Sequence, residues 1–395
     1  MHSQKPRKEQ NLRQVYIARC PSYSQQDIEA ALHKSLEALP GLQERIKPGQ
    51  RVILKANLLQ AQPPEKAITT HPSLVAAVAK WVRKLGATPI IADSPGPGTL
   101  FNPRSLQRVY QVTGMTAAAE AGNAVLNYDV HTVQIPYPEG RAIQKLDAMK
   151  VMVEADAIIS LPKLKTHDLM LFTGAVKNLF GTVPGMIKSS YHARFPSVER
   201  FSAMLIDILN YYKPVLTVMD AVVGMEGDGP SAGNPRHIGL LLTSTDAVAL
   251  DIVATSIVDI PPLTVPTIAA AVRRGLTAGR LEDIEVWGNP IETVKVSGFK
   301  LPRTGGQHAR MIPHFVPAWI TDQLLAKPQA GPKCTACGTC VENCPVQAIA
   351  IVDNKARMDL TRCIRCYCCH ELCPEHAVEL RQPWLAKMVN RLLSA

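Results

Sequence analysis

Asp156-Ala-Ile-Ile-Ser-Leu-Pro-Lys-Leu-Lys-Thr-His167, "DAIISLPKLKTH", sets a short apolar run against three potentially cationic side chains. The first half, Asp156 to Leu161, has the length and unbroken apolar character of a strand buried on both faces. Pro162 lacks a backbone donor and keeps the chain from continuing that strand regularly. Lys163, Lys165, Thr166 and His167 are therefore expected to project beyond its carboxyl end, where ligands gather in a parallel α/β sheet.

Similar runs recur on both sides of this stretch: "QVYIA" (14–18), "RVILKA" (51–56), "TPIIAD" (88–93), "VLTVMD" (215–220), "HIGLLLT" (237–243) and "TVKV" (293–296). Helical patterns lie between several of them. Residues 24–39 open on a capping pair, Ser24 with Asp27, and residues 72–85 end on Gly86, where a left-handed cap is expected. Residues 198–212 place Phe201, Leu205, Ile208 and Tyr212 on one face before Pro214. The fold class expected is α/β: a large, mostly parallel-sheet domain over 13–299 plus a small α+β domain over 331–380. A polar tail (1–12), a Pro/Gly-broken linker or strap (300–330) and an amphipathic C-terminal helix (381–395) complete the expected organisation.

Of ten cysteines in 395 residues, nine fall between Cys334 and Cys373. Cys334, Cys337, Cys340 and Cys344-Pro345 form C-x-x-C-x-x-C-x-x-x-C-P; Cys363, Cys366, Cys369 and Cys373-Pro374 repeat it without gaps. This spacing wraps three thiolates around a cubane and sends the cysteine before proline to the other cluster. Two [4Fe-4S] clusters follow, one on Cys334, Cys337, Cys340 and Cys373, the other on Cys363, Cys366, Cys369 and Cys344. Zinc also uses C-x-x-C pairs, but it needs neither the third cysteine at this spacing nor the proline in both halves. Over 331–380 the repeat resembles a bacterial-type two-cluster ferredoxin, so the small α+β domain is expected to be a two-cluster ferredoxin-like domain. Cys368 is surplus, and Cys20 reads as a small buried hydrophobe.

The formal net charge of +10 falls to about +6 once two clusters with four thiolates each contribute about −2 apiece. The basic excess belongs to the large domain. "MHSQKPRKEQN" shows no secretory pattern, and the longest apolar stretch, 238–260, contains Asp246, Asp251 and Asp259, which opposes a membrane span. No transmembrane segment and a reducing, cytoplasmic location are expected. No basic–aromatic interleaving or recognition motif points to nucleic acid.

From Lys163 to Arg200 six Lys or Arg face only Asp168 and Glu199. Lys163, Lys165, Lys177, Asn178 and Lys188 are candidates to bind an anionic substrate or cofactor, with a solvated basic loop as the bland alternative. His167 and His192 are candidate proton donors. Lys55, Asn57, Asp93 and Asp220 end predicted strands and are placed to complete the same mouth. Asp93, Asp220, Glu226 and Asp228 are a possible carboxylate set for an additional metal. His71-Pro72 reads as a helix cap.

"KANL" (55–58), "HPSLV" (71–75), "IADSPG" (91–96), "LPKLKTH" (161–167), "GAVKNLFG" (174–181), "GMEGDGP" (224–230) and "STDAVALD" (244–251), followed by the cysteine repeat, resemble the domain of unknown function 362 family of iron–sulfur proteins. The resemblance spans nearly the whole chain. It implies the pairing of the large domain with two [4Fe-4S] clusters, marks Lys163, Lys165, His167, Lys177 and Asn178 as matching the family's signature, and implies no particular reaction.

The function expected is iron–sulfur electron transfer: an oxidoreductase that takes electrons from an external donor and passes them to an anionic small molecule held by the large domain. The alternative is an electron carrier or maturation factor that reduces the metal centre of a partner redox protein, with the basic stretch as its docking patch.

Overall fold

The computed structural model describes residues 13–96, 98–302, 323–386 and 388. The expected tail 1–12, most of the strap and much of the C-terminal helix lie outside the described residues; in that helix, Trp384 and Met388 are exposed.

The strands of the large domain are β1 (Arg13–Arg19), β2 (Arg51–Lys55), β3 (Thr88–Ile91), β4 (Val125–Leu126), the hairpin β5 (Thr132–Pro136) and β6 (Lys145–Met149), β7 (Ala157–Ser160), β8 (Lys163–His167), β9 (Leu171–Phe172), β10 (Leu216–Glu226), β11 (Asn234–Ser244) and β12 (Ile284–Gly288). The main sheet runs β12-β1-β11-β10-β7-β2-β3-β4. Every pairing along it is parallel except those of β11, antiparallel to both neighbours. The fold is α/β on a mostly parallel sheet.

Alternation along the strands fills two core layers. Val15, Ile17, Met219, Leu240 and Leu242 join one layer, and Ala18, Val218, Val222 and Leu241 join the other. Helices cover both faces. The second layer receives α1 (Gln25–Ala38), α2 (Pro72–Lys84), α3 (Pro103–Val112) and α4 (Met115–Gly122). On the opposite side lie α5 (Lys150–Val153), α6 (Gly174–Asn178), α7 (Ile187–Arg194), α8 (Val198–Tyr212), α9 (Ala247–Ile257) and α10 (Pro266–Arg273). The caps expected at α1 and α2 form: Ser24 accepts from the Asp27 N–H, His71 Nδ1 accepts from the Ser73 N–H, and Gly86 has φ +78°.

Two expectations are corrected. Thr293–Val296 is not a strand: after Pro290 the chain enters a 3-10 turn, Ile291–Thr293, and the edge position beside β1 is taken by β12 instead. Lys163–His167 is not a loop. Past Pro162 the chain resumes as β8, pairing with the outer half of β10, Asp220 with Lys163 and Met225 with Lys165, and every residue of β8 is buried.

The small module contains β13 (Lys327–Ala330), α11 (Thr339–Glu342), the hairpin β14 (Ile349–Val352) and β15 (Lys355–Met358), α12 (Cys368–Glu371) and β16 (Val378–Arg381). β13 pairs antiparallel with β16, so the last residues of the expected strap belong to the module.

Candidate functional site

From β2 the chain winds outward through β3 and β4, then returns on the other side of β2 as β7 and β10. The carboxyl ends of β2 and β7 therefore flank a topological switch point, the place where open α/β sheets bind ligands. Asn178, the last residue of α6, spans that crevice. Its amide donates to Lys55 O at 3.2 Å and Ser160 Oγ at 3.0 Å, and its Oδ1 accepts from Lys55 Nζ and Asn57 Nδ2, each at 3.3 Å.

The lysines around it divide by partner. Lys55 Nζ lies 2.7 Å from Asp93 Oδ1, and the Leu58 N–H donates to Asp93 Oδ2 at 2.7 Å. Burial drives this ammonium down and this carboxyl up, and their contact opposes both shifts. Lys163 Nζ lies 2.9 Å from Asp220 Oδ2 and donates to Tyr23 Oη at 2.8 Å, in a network closed by Tyr23 on Asp220 and by the His71 N–H. Tyr23 also stacks on His71 at 3.5 Å.

Among the described residues the hydrogen bonds of the other three go to neutral groups or are replaced by a ring contact. Lys165 Nζ donates to Asn57 Oδ1 at 2.9 Å and Ile68 O at 2.6 Å, and Lys188 Nζ to Ser94 Oγ at 2.6 Å and Pro95 O at 3.0 Å. Lys177 Nζ lies over the Phe180 ring at 6.0 Å. Among the described residues no carboxylate forms a salt bridge with any of the three. Burial pushes Lys165 well below the ordinary lysine range, lowers Lys177, and brings Lys188 to about 7.

The remaining candidates separate. His167 is fully buried; its Nδ1 accepts from the Leu169 N–H at 3.0 Å, which leaves the proton on Nε2. His192 does not join the site. It stacks on Phe201 at 4.4 Å, and burial lowers it to about 3, so it is neutral at working pH. Nor are the expected metal carboxylates gathered: Asp93 and Asp220 are held by lysines and Glu226 accepts from the Lys300 N–H. Among the described residues no three His, Cys, Asp or Glu side chains converge on a single ion.

In the small module, Cys334, Cys337, Cys340 and Cys373 line one small cavity. Cys344, Cys363, Cys366 and Cys369, with Cys368 beside them, line another. Each cradle thus takes three cysteines from one repeat and one from the other. Left-handed backbone recurs at matching positions, Ala336 and Arg365, Gly338 and Tyr367, Gln347 and His376, so both repeats curl their loops identically. Amide N–H groups of Ala356, Ala348 and Ala377 point at the sulfurs of Cys334, Cys344 and Cys373. Four sulfurs around a cavity with N–H donors behind them suit a four-iron cubane.

Sequence reasoning missed what joins the two parts. α12 turns His370 and Glu371 toward β8. His167 Nε2 lies 3.2 Å from Glu371 Oε1, and His370 Nε2 lies 3.2 Å from Asp168 Oδ2, a crossed pair of histidine–carboxylate contacts. Ser231 Oγ donates to Glu371 O at 2.8 Å, and Asn343 Oδ1 accepts from the Gly98 N–H at 3.0 Å. Burial pushes Glu371 up to about 7 against the nearby Lys177 ammonium. Tyr23, Ser94 and Asp168 were also missed; Ser94 and Asp168 directly follow residues already marked, and only that adjacency could have found them.

Residues 52–256 match the family described as a domain of unknown function (DUF362). The chain belongs to that family. Residues 329–374 of this DUF362 protein match a 4Fe-4S dicluster domain. It is 36% identical over 298 residues to the thylakoid-associated protein sll1697 of Synechocystis sp., covering 74% of this chain and 88% of that protein. A solved structure, the lactate racemase apoprotein from Thermoanaerobacterium thermosaccharolyticum, aligns over 59% of this chain and 54% of its own with 16% identity and a TM-score of 0.37.

Proposed function

We propose that this DUF362 protein is an oxidoreductase of the iron–sulfur electron-transfer kind, delivering electrons from two [4Fe-4S] clusters to an anionic substrate or cofactor at the switch point of its large domain. The observation that carries the reading is the gathering of Lys165 and Lys188, buried, with Lys177, half-buried, none of them in a salt bridge to a carboxylate among the described residues, beside the crossed contacts to α12. Lysines whose hydrogen bonds go only to neutral groups gain more from an incoming anion than lysines already paired with a carboxylate.

When bound, the clusters supply one-electron chemistry. Cys334, Cys337, Cys340 and Cys373 would hold one, and Cys344, Cys363, Cys366 and Cys369 the other. Lys177 binds the incoming anion, its ammonium the one most free to turn toward a ligand; Lys165 and Lys188 orient it from their neutral oxygen partners. Asn178 holds the two strand ends at fixed separation. His167, its Nε2 lying 3.2 Å from Glu371 Oε1, retains a proton at the boundary between the two parts.

The reducing, cytoplasmic placement suits cysteines that are all unpaired. Thylakoid association, as the relative's name has it, is compatible with this, since no helix among the described residues is long and apolar enough to cross a membrane.

The test is reoxidation. Protein purified without oxygen and reduced is mixed with fractionated anionic metabolites while its visible absorbance is followed. One fraction is expected to restore the oxidised spectrum, at least tenfold more slowly in Lys177→Gln. Clusters that form and respond to no fraction would move the carrier or maturation reading ahead.

A further inference from the structure

The two cradles are alike in sequence and unlike in surroundings. Around the first, Thr335, Cys337, Ile351, Pro374 and Glu375 are exposed. Around the second no lining residue is exposed; Tyr367 and Cys368 are buried, and Tyr367 packs into the core of the large domain. The second cradle also carries α12, whose His370 and Glu371 meet Asp168 and His167. The loop of α11, on the first cradle, reaches the large domain through Asn343 and Gly98.

We infer that the two cradles are functionally ordered: the one on Cys334, Cys337, Cys340 and Cys373 is the outer station, open to a one-electron carrier protein, and the one on Cys344, Cys363, Cys366 and Cys369 is the inner station, clamped to the lysine site by the crossed pairs His167–Glu371 and Asp168–His370. The direction of flow rests on the oxidoreductase reading; the inequivalence of the cradles does not. The crossed pairs are positioning residues. They fix α12, which bears Cys369, and with it the loop bearing Cys366, against β8, so a group in the second cradle feels the charge at Lys177 while a group in the first does not. Attraction to a nearby ammonium favours the reduced, more negative state, so loss of that charge makes reduction harder.

The experiment is paramagnetic resonance on the reduced, full-length holoprotein. Cys337→Ser alters or removes the signal of the first cradle and so assigns both. A water-soluble dysprosium chelate is expected to enhance the relaxation of the first signal and leave the second nearly unchanged. In a redox titration, Lys177→Gln is expected to make reduction of the second group tenfold less favourable, about 59 mV for one electron, with the first unmoved. Equal relaxation of both signals, or stronger relaxation of the second, overturns the order. Equal displacement of both midpoints by Lys177→Gln overturns the coupling. The dysprosium arm needs no variant of the lysine site, so it stands even where Lys177→Gln fails to load. Asymmetric relaxation together with no reoxidation by any anion would retire the oxidoreductase reading and leave the ordering intact.

Discussion

Lys55 and Lys177 share a crevice and differ in what holds them. Lys55 is matched by Asp93 at 2.7 Å in a fully buried pair, so Asp93→Ala strands an ammonium and leaves the Leu58 N–H without its acceptor. Breaking a buried pair from one side costs about 3–5 kcal/mol, and a urea titration followed by tryptophan fluorescence should show that loss. Lys188 adds a pH dependence. Burial brings it from the ordinary 10.5 to about 7, so its ammonium is present at pH 6 and largely gone at pH 8. Sulfate, fully charged at both, should bind more weakly at pH 8 by calorimetry; equal affinity at the two would remove Lys188 from the anion site. In the unliganded protein the sign of the stability effect is opposite. The folded state binds fewer protons than the unfolded between about 7 and 10.5, so this group's contribution rises with pH across that window. The lysines themselves were legible in the sequence because they follow an apolar run. Their pairing was not, since Asp93 and Asp220 lie 38 and 57 residues from their partners, separations set only by strand order.

At the scale of elements, the strands that decide the fold were visible where short apolar runs rich in Val and Ile stand together, as in β2, β3, β7 and the inner half of β10. β8 was hidden by its own composition. Proline followed by alternating lysines reads as a solvated loop, and the length of β10, eleven residues, together with the short β9 provides the partners that make it a strand. The edge was misplaced for a related reason: "TVKV" and "IEVWG" are similar short segments, and Pro290 between them, with the free side of β1, decides which one pairs. The turn after α6 (Leu179–Thr182) shows how an element positions charge. A Cβ on Gly181 would overlap the Asp93 carboxylate and the Lys55 ammonium. Gly181→Ala should therefore displace that pair, costing about 1–3 kcal/mol as overpacking does. A denaturation midpoint unchanged from wild type would show that the turn yields instead.

Over the whole molecule, the small module has little core of its own. Its apolar clusters consist largely of the cysteines and a few Ala, Val, Leu and Met side chains, whereas the large domain fills two extensive layers. The clusters should then supply much of the module's folding energy, as structural metals do in small domains. Removing iron with a chelator under oxygen should speed amide exchange throughout residues 327–381 while β2, β3, β7 and β10 keep their protection. Uniform loss of protection across both parts would mean that the interface, including the crossed pairs on α12, also holds up the main sheet. The two-part organisation was plain from the cysteine repeat, but the docking was not. His370 and Glu371 sit among cysteines, where spacing explains the segment so fully that nothing marks these two side chains as facing outward to β8.

The central claim is that an anion site lies at the switch point beside the second cradle. Anomalous diffraction from anaerobic crystals of the holoprotein soaked in selenate tests it most directly. Iron peaks in both cradles and a selenium peak within hydrogen-bonding distance of Lys177 Nζ, with Lys165 or Lys188 as its second contact, are the result predicted. Iron in both cradles with no selenium at any of these three lysines would contradict it.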